Sequence, residues 1–437
     1  MSSLYFDNIL QSERIRKRAT GSDLLGNGAE VAVYPETETE VAKILNAANE
    51  RDLKVAVTGG GSKLGFGGLR KSYDLVVSLK NLKGIVEHRT GDLTLTARAG
   101  TPIRELTKKL AEHRQMLPLD PRWPEKATLG GVIASNDTGP KRLYYGAPRD
   151  VVIGLRVVYP DGRVIRTGGK VVKNVAGYDM NKLFVGSMGT LGVITEVTVK
   201  LRPLPPYESL ALAVFREGRE EAVQSFVNTL QRSHLEPVTL EYLNPLLTQR
   251  LAGPNRYALA VAFEGGKTAV EEQLNRIQKI LPEGADLEVF REKEAKSWWD
   301  EWSRLPFNET ASSEANSAEV AVKIGTHSSD AVAVVSQATE LTAGRKVEAL
   351  AHGGTGHGIS RAYVRGDEED VLDYLTQLRA FAEERRGYLV ADHMVYPLRK
   401  RFDAWGTRMV HLPLMKGIKE AIDPKRTLND QRFVGGL

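Results

Sequence analysis

Apolar residues first fall into a clear pattern in "ETETEVAKILNAANERDL", where Val41, Ile44, Leu45 and Ala48 repeat at helical spacing behind an acidic first turn. That spacing predicts an amphipathic helix. The β-branched run "KVAVTG" follows and predicts a strand that breaks into glycines. "YDLVVSL" and "DLTLTARAG" predict two more strands. "TPIRELTKKLAEHRQ" predicts a helix with Thr101 as cap, Pro102 in its first turn and Glu105 reaching back to the cap. "TLGGVIASNDTG" predicts a small-residue helix that ends in a turn. "VVIGLRVVYPDGRVIRTGG" predicts a hairpin about Pro160, Asp161 and Gly162. "GTLGVITEVTVKLRPLPP" predicts a strand that stops at prolines.

Beyond Pro203, Pro205 and Pro206 the pattern changes. Strand-like runs ("ESLALAVF", "RYALAVAFEG", "EVAVKIG", "RAYVRGD") alternate with helices near Glu220–Ser233, Thr268–Leu281, Asp330–Leu341 and Glu368–Arg385. "DLEVF" and "VEALAH" add strands between them. This predicts an antiparallel sheet with helices on one face, in two similar halves. "EKEAKSWWDEWSRLPFNETASSEANSAE" loses its periodicity after the tryptophans and is a candidate mobile loop or lid. Trp298, Trp299 and Trp302 stand at helical spacing and read as core or interface. The apolar, glycine-containing tail "AIDPKRTLNDQRFVGGL" is expected to dock. The expected divisions are an N-terminal helical segment (1–29), a first domain (30–206), a second (207–400) and a returning C-terminal segment (401–437).

The 437 residues exceed one core. Sixty basic against 55 acidic residues leave a net charge of +5, which suits an anionic cofactor or an acidic substrate and gives no ground for a nucleic-acid partner. There is no cysteine. This chain alone therefore holds no iron–sulfur cluster, disulfide or sulfur-linked cofactor. No apolar run approaches a membrane span. The first residues carry acids before bases, the reverse of a secretory signal, so a cytoplasmic location is expected. "RIRKR", Arg14 to Arg18, reads as a solvated helix face. Contact with an anionic membrane surface, as in peripheral attachment at its inner face, or with a partner stays open.

The glycine run Gly59–Gly60–Gly61–Ser62–Lys63 carries the first candidate chemistry. A dinucleotide fingerprint G-x-G-x-x-G fails at Leu64, and a P-loop fails because Lys63 follows Ser62. What remains is a backbone nest for an anion at the end of a strand, or a tight connection with no ligand. In "DPRWPEKATLGGVIASNDTG", Gly130 and Gly131 allow close backbone approach. Ser135, Asn136 and Thr138 offer hydrogen bonds to phosphate or ribose oxygens.

Taken in order, the glycine loop, "ATLGG", "YGAPRD", "GKVVKNVAGYD" and "GSMGTLGVIT" resemble the FAD-binding domain shared by relatives of vanillyl-alcohol oxidase and p-cresol methylhydroxylase (PCMH). The resemblance runs from Pro35 to Pro206 and returns at the C-terminus. "KNVAGYD" with "GTLGVITE" is similar to the branch that oxidises 2-hydroxy acids. "GPKRLYYGAPRD" and the ending "RFVGGL" resemble the FAD-binding subunits of bacterial glycolate oxidases. The resemblance implies an α+β protein: a PCMH-type FAD-binding domain of two α/β subdomains plus an antiparallel sheet-and-helix substrate (cap) domain. It implies that Thr58, Gly59, Gly60, Gly61, Ser62 and Lys63, with Thr128, Gly130, Gly131, Ser135, Asn136, Thr138 and Gly139, grip the FAD diphosphate. Gly146 belongs to the same FAD-binding set. Gly192, Val193, Ile194 and Thr195 would line the adenine. Pro121, Asn429 and Arg432 would lie near the flavin. Some members attach FAD through a histidine in the glycine loop or through a cysteine. Ser62 and Lys63 follow the glycines here, so noncovalent FAD is expected.

Oxidising a 2-hydroxy acid requires a base for the hydroxyl proton and a cation for the carboxylate. "AHGGTGHGISRAYV" supplies His352 and His357 around a glycine turn and Arg361 on the next strand. These are the candidate catalytic residues, with satisfied turn histidines as the plain alternative. Related dehydrogenases carry "GDGN-H" near this point and bind a metal. "GGTGHG" departs from that pattern, so no metal is expected. His393 reads as a structural strand residue. "LRKRFDAWGTR" reads as a solvated helix, with Arg399 or Arg401 able to face an acidic partner. The resemblance further implies a second flavoprotein subunit and an iron–sulfur subunit as partners that receive the electrons. A stand-alone D-lactate dehydrogenase and a non-catalytic FAD-holding or electron-relay subunit are the alternatives.

Overall fold

The computed structural model describes residues 6–17, 25–170, 177–216, 220–305, 317–406 and 409–437. The chain divides into two compact units. One comprises Met1–Thr138, Gly146–Leu204 and Val395–Leu437. The other comprises Gly139–Tyr145 and Pro205–Met394.

In the first unit, β1 (Ile15–Lys17), β2 (Ala29–Val33), β3 (Val55–Thr58) and β4 (Tyr73–Ser78) form one sheet in the order β1-β2-β4-β3. The helix Glu38–Glu50 carries the chain between β2 and β3, and both strands run parallel to β4. Thr37 and Glu40 close a capping box at its start, and Val41, Ile44, Leu45 and Ala48 are buried. In place of the helix face expected at Arg14–Arg18, Arg14 ends a 3₁₀ turn and Ile15–Lys17 form β1, antiparallel to β2. Arg14 pairs with Glu40 at 2.9 Å, so this basic stretch closes a sheet edge. Arg18 lies outside the described residues. A 3₁₀ turn and β1 thus stand within the segment expected to be helical.

A second sheet follows from β5 (Ile85–Arg89), β6 (Thr94–Arg98), β8 (Val152–Val158), β9 (Val164–Gly168) and β10 (Val193–Lys200), all antiparallel in the order β5-β6-β10-β8-β9. Between them β7 (Gln115–Met116) pairs with β11 (Arg202–Pro203) as a short ribbon. Thr101 does not cap the next helix. Its hydroxyl donates to Arg98 O at 2.7 Å and accepts from Gly84 N–H at 2.9 Å. The helix starts one residue later than that cap requires, at Ile103 after Pro102.

The second unit is built on one eight-stranded antiparallel sheet. Its strands are β12 (Tyr207–Phe215), β13 (Thr239–Leu243), β14 (Ala258–Gly265), β15 (Ala285–Arg291), β16 (Ser317–Gly325), β17 (Val347–Gly354), β18 (Ile359–Asp367) and β19 (Tyr388–Met394). The order β15-β12-β14-β13-β17-β18-β16-β19 contains the same arrangement twice. Each half runs strand, helix, two strands, helix, strand, with one added helix, Pro245–Ala252, between the middle strands of the first half, and each pairs its strands fourth-first-third-second. The halves meet where their second strands, β13 and β17, pair. The helix Lys293–Ser303 buries Trp298 and Trp302 against Leu210, Leu212, Ala260 and Tyr363, so the tryptophans are core. Residues 306–316 of the candidate lid lie outside the described residues.

The tail closes the first unit. On the helix Leu412–Ile422 only Lys419 is buried. Its ammonium donates to Asp423 Oδ2 at 2.6 Å, Thr190 O at 2.7 Å and Leu428 O at 3.0 Å. Asp423 also accepts the N–H groups of Thr427 and Leu428, both at 2.9 Å. The expected solvated helix at Leu398–Arg408 is only a short one, Tyr396–Arg399, and Leu398 and Arg399 are buried. Arg408 lies outside the described residues. Lys419→Met leaves the Asp423 carboxylate buried without its cation. Urea unfolding of the full chain at neutral pH is expected to show a loss of about 3–5 kcal/mol.

Candidate functional site

The first unit builds a cleft where β3 ends. One edge of β3 pairs with β4; the tail takes the other. Val55 N–H donates to Thr427 O at 2.7 Å, Asn429 N–H to Val55 O at 2.9 Å, and Val57 N–H to Asn429 Oδ1 at 2.9 Å. Asn429 Nδ2 reaches Met188 O at 2.7 Å. With β3 fixed, the chain turns through Gly59–Lys63. A Cβ at Gly59 would overlap the Thr128 hydroxyl, and one at Gly60 the Lys126 carbonyl. These two glycines are therefore required by the neighbouring protein loop. A Cβ at Gly61 would make only ordinary contact with Leu64, but φ there is +82°, so its requirement is conformational.

Thr128 caps the helix Leu129–Ser135 and accepts Gly131 N–H at 3.4 Å. Gly130 packs on Ala99, and Asn136 ends the helix in the left-handed conformation at φ 48°. The cleft is walled by Val57 to Leu64 on one side and by Thr128, Gly131, Ala134 and Ser135 on the other, with Met188 and Arg432 completing it. It thus unites Thr58, Gly59, Gly60, Gly61, Ser62, Lys63, Thr128, Gly131, Ser135 and Arg432 of the sequence set. Among the described residues, the N–H groups of Gly60, Gly61 and Ser62 meet no protein acceptor. Ser135 returns its hydroxyl to Gly131 O at 2.7 Å. The Lys63 ammonium stands 2.9 Å from Asp137, a buried carboxylate that the sequence reading passed over as part of a turn.

The remaining residues of that set lie outside this cleft. Gly192 packs against Val157, and Val193 and Ile194 are buried in β10. Thr195 donates to Glu38 Oε2 at 2.7 Å. Gly146, at φ +81°, precedes a turn in which Asp150 accepts Ala147 N–H. Pro121, Asn136 and Thr138 do not line it, and Gly139 groups with the second unit.

Arg432 is 4% exposed. Its Nη2 donates to Phe66 O at 2.9 Å and Lys63 O at 3.1 Å, and its Nε has no bonded partner. Burial pushes its pKa below the ordinary arginine value. A buried cation with no carboxylate partner among the described residues, and unpaired backbone N–H groups in the same cleft, fit an anionic ligand such as a phosphate ester.

In the second unit, the polar candidates gather where the two halves of the sheet meet. His352 on β17 lies opposite Arg361 on β18, and Glu241 on β13 lies opposite Gly354. Glu241 is 1% exposed and joins both histidines: Oε2 to His352 Nδ1 at 2.8 Å and Oε1 to His357 Nε2 at 3.1 Å. His357 Nδ1 accepts Ile359 N–H at 3.2 Å, so both of its ring nitrogens are engaged. The Trp302 ring lies edge-on to His352, with centroids 4.6 Å apart. Arg361 is bound by the buried Asp392. Burial alone would raise the Glu241 pKa. Hydrogen bonds and charge from His352 and His357 more than offset it and hold the carboxyl at about 2. Sequence reasoning missed Glu241, although a lone acid inside the apolar strand "TLEYL" was a usable signal. It also missed Asp392. Among the described residues no group of three or more His, Cys, Asp or Glu is placed to hold a metal.

Residues 29–168 match the family described as FAD binding domain, and residues 204–432 match the FAD linked oxidases, C-terminal domain. The chain is 29% identical over 423 residues to glycolate oxidase subunit GlcD of Bacillus subtilis, which covers 92% of this chain and 88% of that one. It is 36% identical over 213 residues to glycolate oxidase subunit GlcE of Escherichia coli, covering 48% of this chain and 59% of that one. Its fold is similar to p-cresol methylhydroxylase with substrate bound: TM-score 0.76 at 14% identity, over 99% of this chain and 97% of that one. The fold is thus α+β of the PCMH type. Among the described residues no helix is long and apolar enough to cross a membrane.

Because Glu241 is held below its unfolded value, its stabilisation is complete above about pH 4.3 and is lost as pH falls towards 2. Glu241→Gln is expected to lower the thermal midpoint by a constant amount above pH 5, with the gap to the parent narrowing between pH 4 and pH 2. Thermal melts across pH check it.

Proposed function

We propose that this chain, which belongs to the FAD-linked oxidases and is an FAD-dependent oxidoreductase, oxidises a small 2-hydroxy acid to the 2-oxo acid. Glycolate is the preferred substrate and D-lactate the second. The observation that carries the reading is the cleft of the first unit, with its unpaired N–H groups at Gly60–Ser62 and its buried Arg432. Thr58 to Lys63, the capped helix start at Thr128–Gly131 and Arg432 would hold the FAD diphosphate. The hold would be noncovalent: Ser62 and Lys63 follow the glycines, and the chain has no cysteine. When bound, FAD accepts the two electrons and the α-hydrogen of the substrate.

The second unit supplies the acid–base groups. Glu241 fixes His352 through Nδ1–H, which leaves the ring's lone pair on Nε2. His352 is therefore assigned as the base for the substrate hydroxyl. His357, with both nitrogens engaged, becomes the residue that positions Glu241. Arg361, its guanidinium plane fixed by Asp392, is assigned to the substrate carboxylate.

The similarity to GlcD and GlcE supports an assembly with a second flavoprotein subunit. An iron–sulfur subunit is proposed as the electron acceptor, because this chain has no cysteine to ligate a cluster. A cytoplasmic location is proposed for the assembly, with peripheral attachment at the inner face of the membrane as the alternative.

Anaerobic mixing of the flavin-loaded chain with glycolate, and separately with D-lactate, is expected to bleach the flavin absorbance. His352→Ala is expected to slow bleaching about 10²–10⁴-fold with flavin retained, and His357→Ala less. Flavin that stays oxidised with either acid, alone and with the partner subunits added, overturns the reading.

A further inference from the structure

Two buried guanidiniums grip the segment that follows the glycine loop. Arg399 is 7% exposed and Arg432 4%. Arg399 donates to the carbonyl oxygens of Leu25, Leu64, Gly67 and Gly68. Arg432 takes those of Lys63 and Phe66 and returns its own carbonyl to Gly68 N–H at 2.9 Å. A Cβ at Gly67 would overlap that same carbonyl, so the segment is closed tightly on the tail. Every bonded partner of the two side chains is a backbone carbonyl. Neither bonds a carboxylate among the described residues, and the Nε of each is buried without a partner. The nearby acid, Asp430, is taken by Arg70 and Arg426. Carbonyl dipoles solvate a cation without neutralising it. Burial first, and then the neighbouring Arg432, push the Arg399 pKa down to about 9, the mark of a charge with no counter-ion.

We propose that Arg399 is a positioning residue for the diphosphate of FAD: with Arg432 it keeps an uncompensated positive charge at the glycine-loop cleft, and the diphosphate is its counter-ion. The inference rests on the cleft being the FAD site. It assigns Arg399 a role that neither exposure nor an acidic partner explains. Arg432 would meet the anion, since it lines the cleft. Arg399 does not line it and would act through the loop it ties down and through the field it adds.

The test is FAD release from the full-length flavin-loaded chain, followed by recovery of flavin fluorescence on dilution. It is repeated across NaCl concentrations and with inorganic pyrophosphate as competitor. Arg399→Met is expected to weaken FAD and pyrophosphate together by about tenfold and to flatten the salt dependence. Arg399→Lys keeps the charge and is expected to stay within about threefold of the parent. A Met variant that holds both ligands as the parent does overturns the proposal. So does a Lys variant as weak as the Met variant, because the role would then be to hold the loop and not to supply charge. If the Met variant does not fold, the parent protein decides: FAD affinity indifferent to salt and no competition by pyrophosphate overturns it. Anaerobic bleaching by substrate is read separately, so failure of the proposed reaction is distinguishable from failure of this one.

Discussion

The cleft depends on closing the second edge of β3. A strand that ends a sheet leaves a row of unpaired N–H and C=O groups, and a loop that springs from such a strand inherits its looseness. Here Thr427 and Asn429 take that edge through three hydrogen bonds, and Asn429 also reaches Met188 O. The tail is fixed in turn by Lys419 and Asp423, which pair inside the protein and satisfy the backbone at Thr427 and Leu428. Only then is the turn at Gly59–Lys63 held against Thr128, beside the cleft that it lines.

The second unit solves a different problem. Charged side chains in the middle of a sheet are costly unless each finds a partner. The two half-sheets meet at β13 and β17, and Glu241 with His352 and His357 lies at that seam, with Arg361 and Asp392 beyond it. Glu241, His352 and Arg361 stand on the inner strands β13, β17 and β18, buried and paired, and so have little freedom to rearrange. Trp302 packs on His352 and removes more of it. That rigidity would suit the proposed role of His352, a base whose tautomer must be fixed.

Most of the elements were legible because they follow simple periods. The helix Glu38–Glu50, the β8–β9 hairpin and the strand–helix alternation beyond Pro206 all stand where the pattern indicates. The failures have physical causes. Thr101 is a good cap by type, but Arg98 O and Gly84 N–H claim its hydroxyl. Arg399 sits in a charged run and reads as surface, yet four backbone carbonyls draw it inside. Gly59 and Gly60 read as room for a ligand, whereas the Lys126–Thr128 loop requires them. Pairing between distant residues decides Arg399 and the two glycines, and competing backbone partners decide Thr101; local pattern carries no record of either.

The bond from Val57 to Asn429 spans 372 positions. A ribosome adding about 5–20 residues per second leaves β3 waiting roughly 20–75 s for its partner. Throughout that interval the strand has one bare edge beside a glycine-rich turn, the kind of template on which another chain can add. Shielding by a chaperone during synthesis is the natural remedy. On the proposed reading of the cleft, FAD would load only after the tail has been made, because Thr427 and Asn429 complete the edge from which the glycine turn springs.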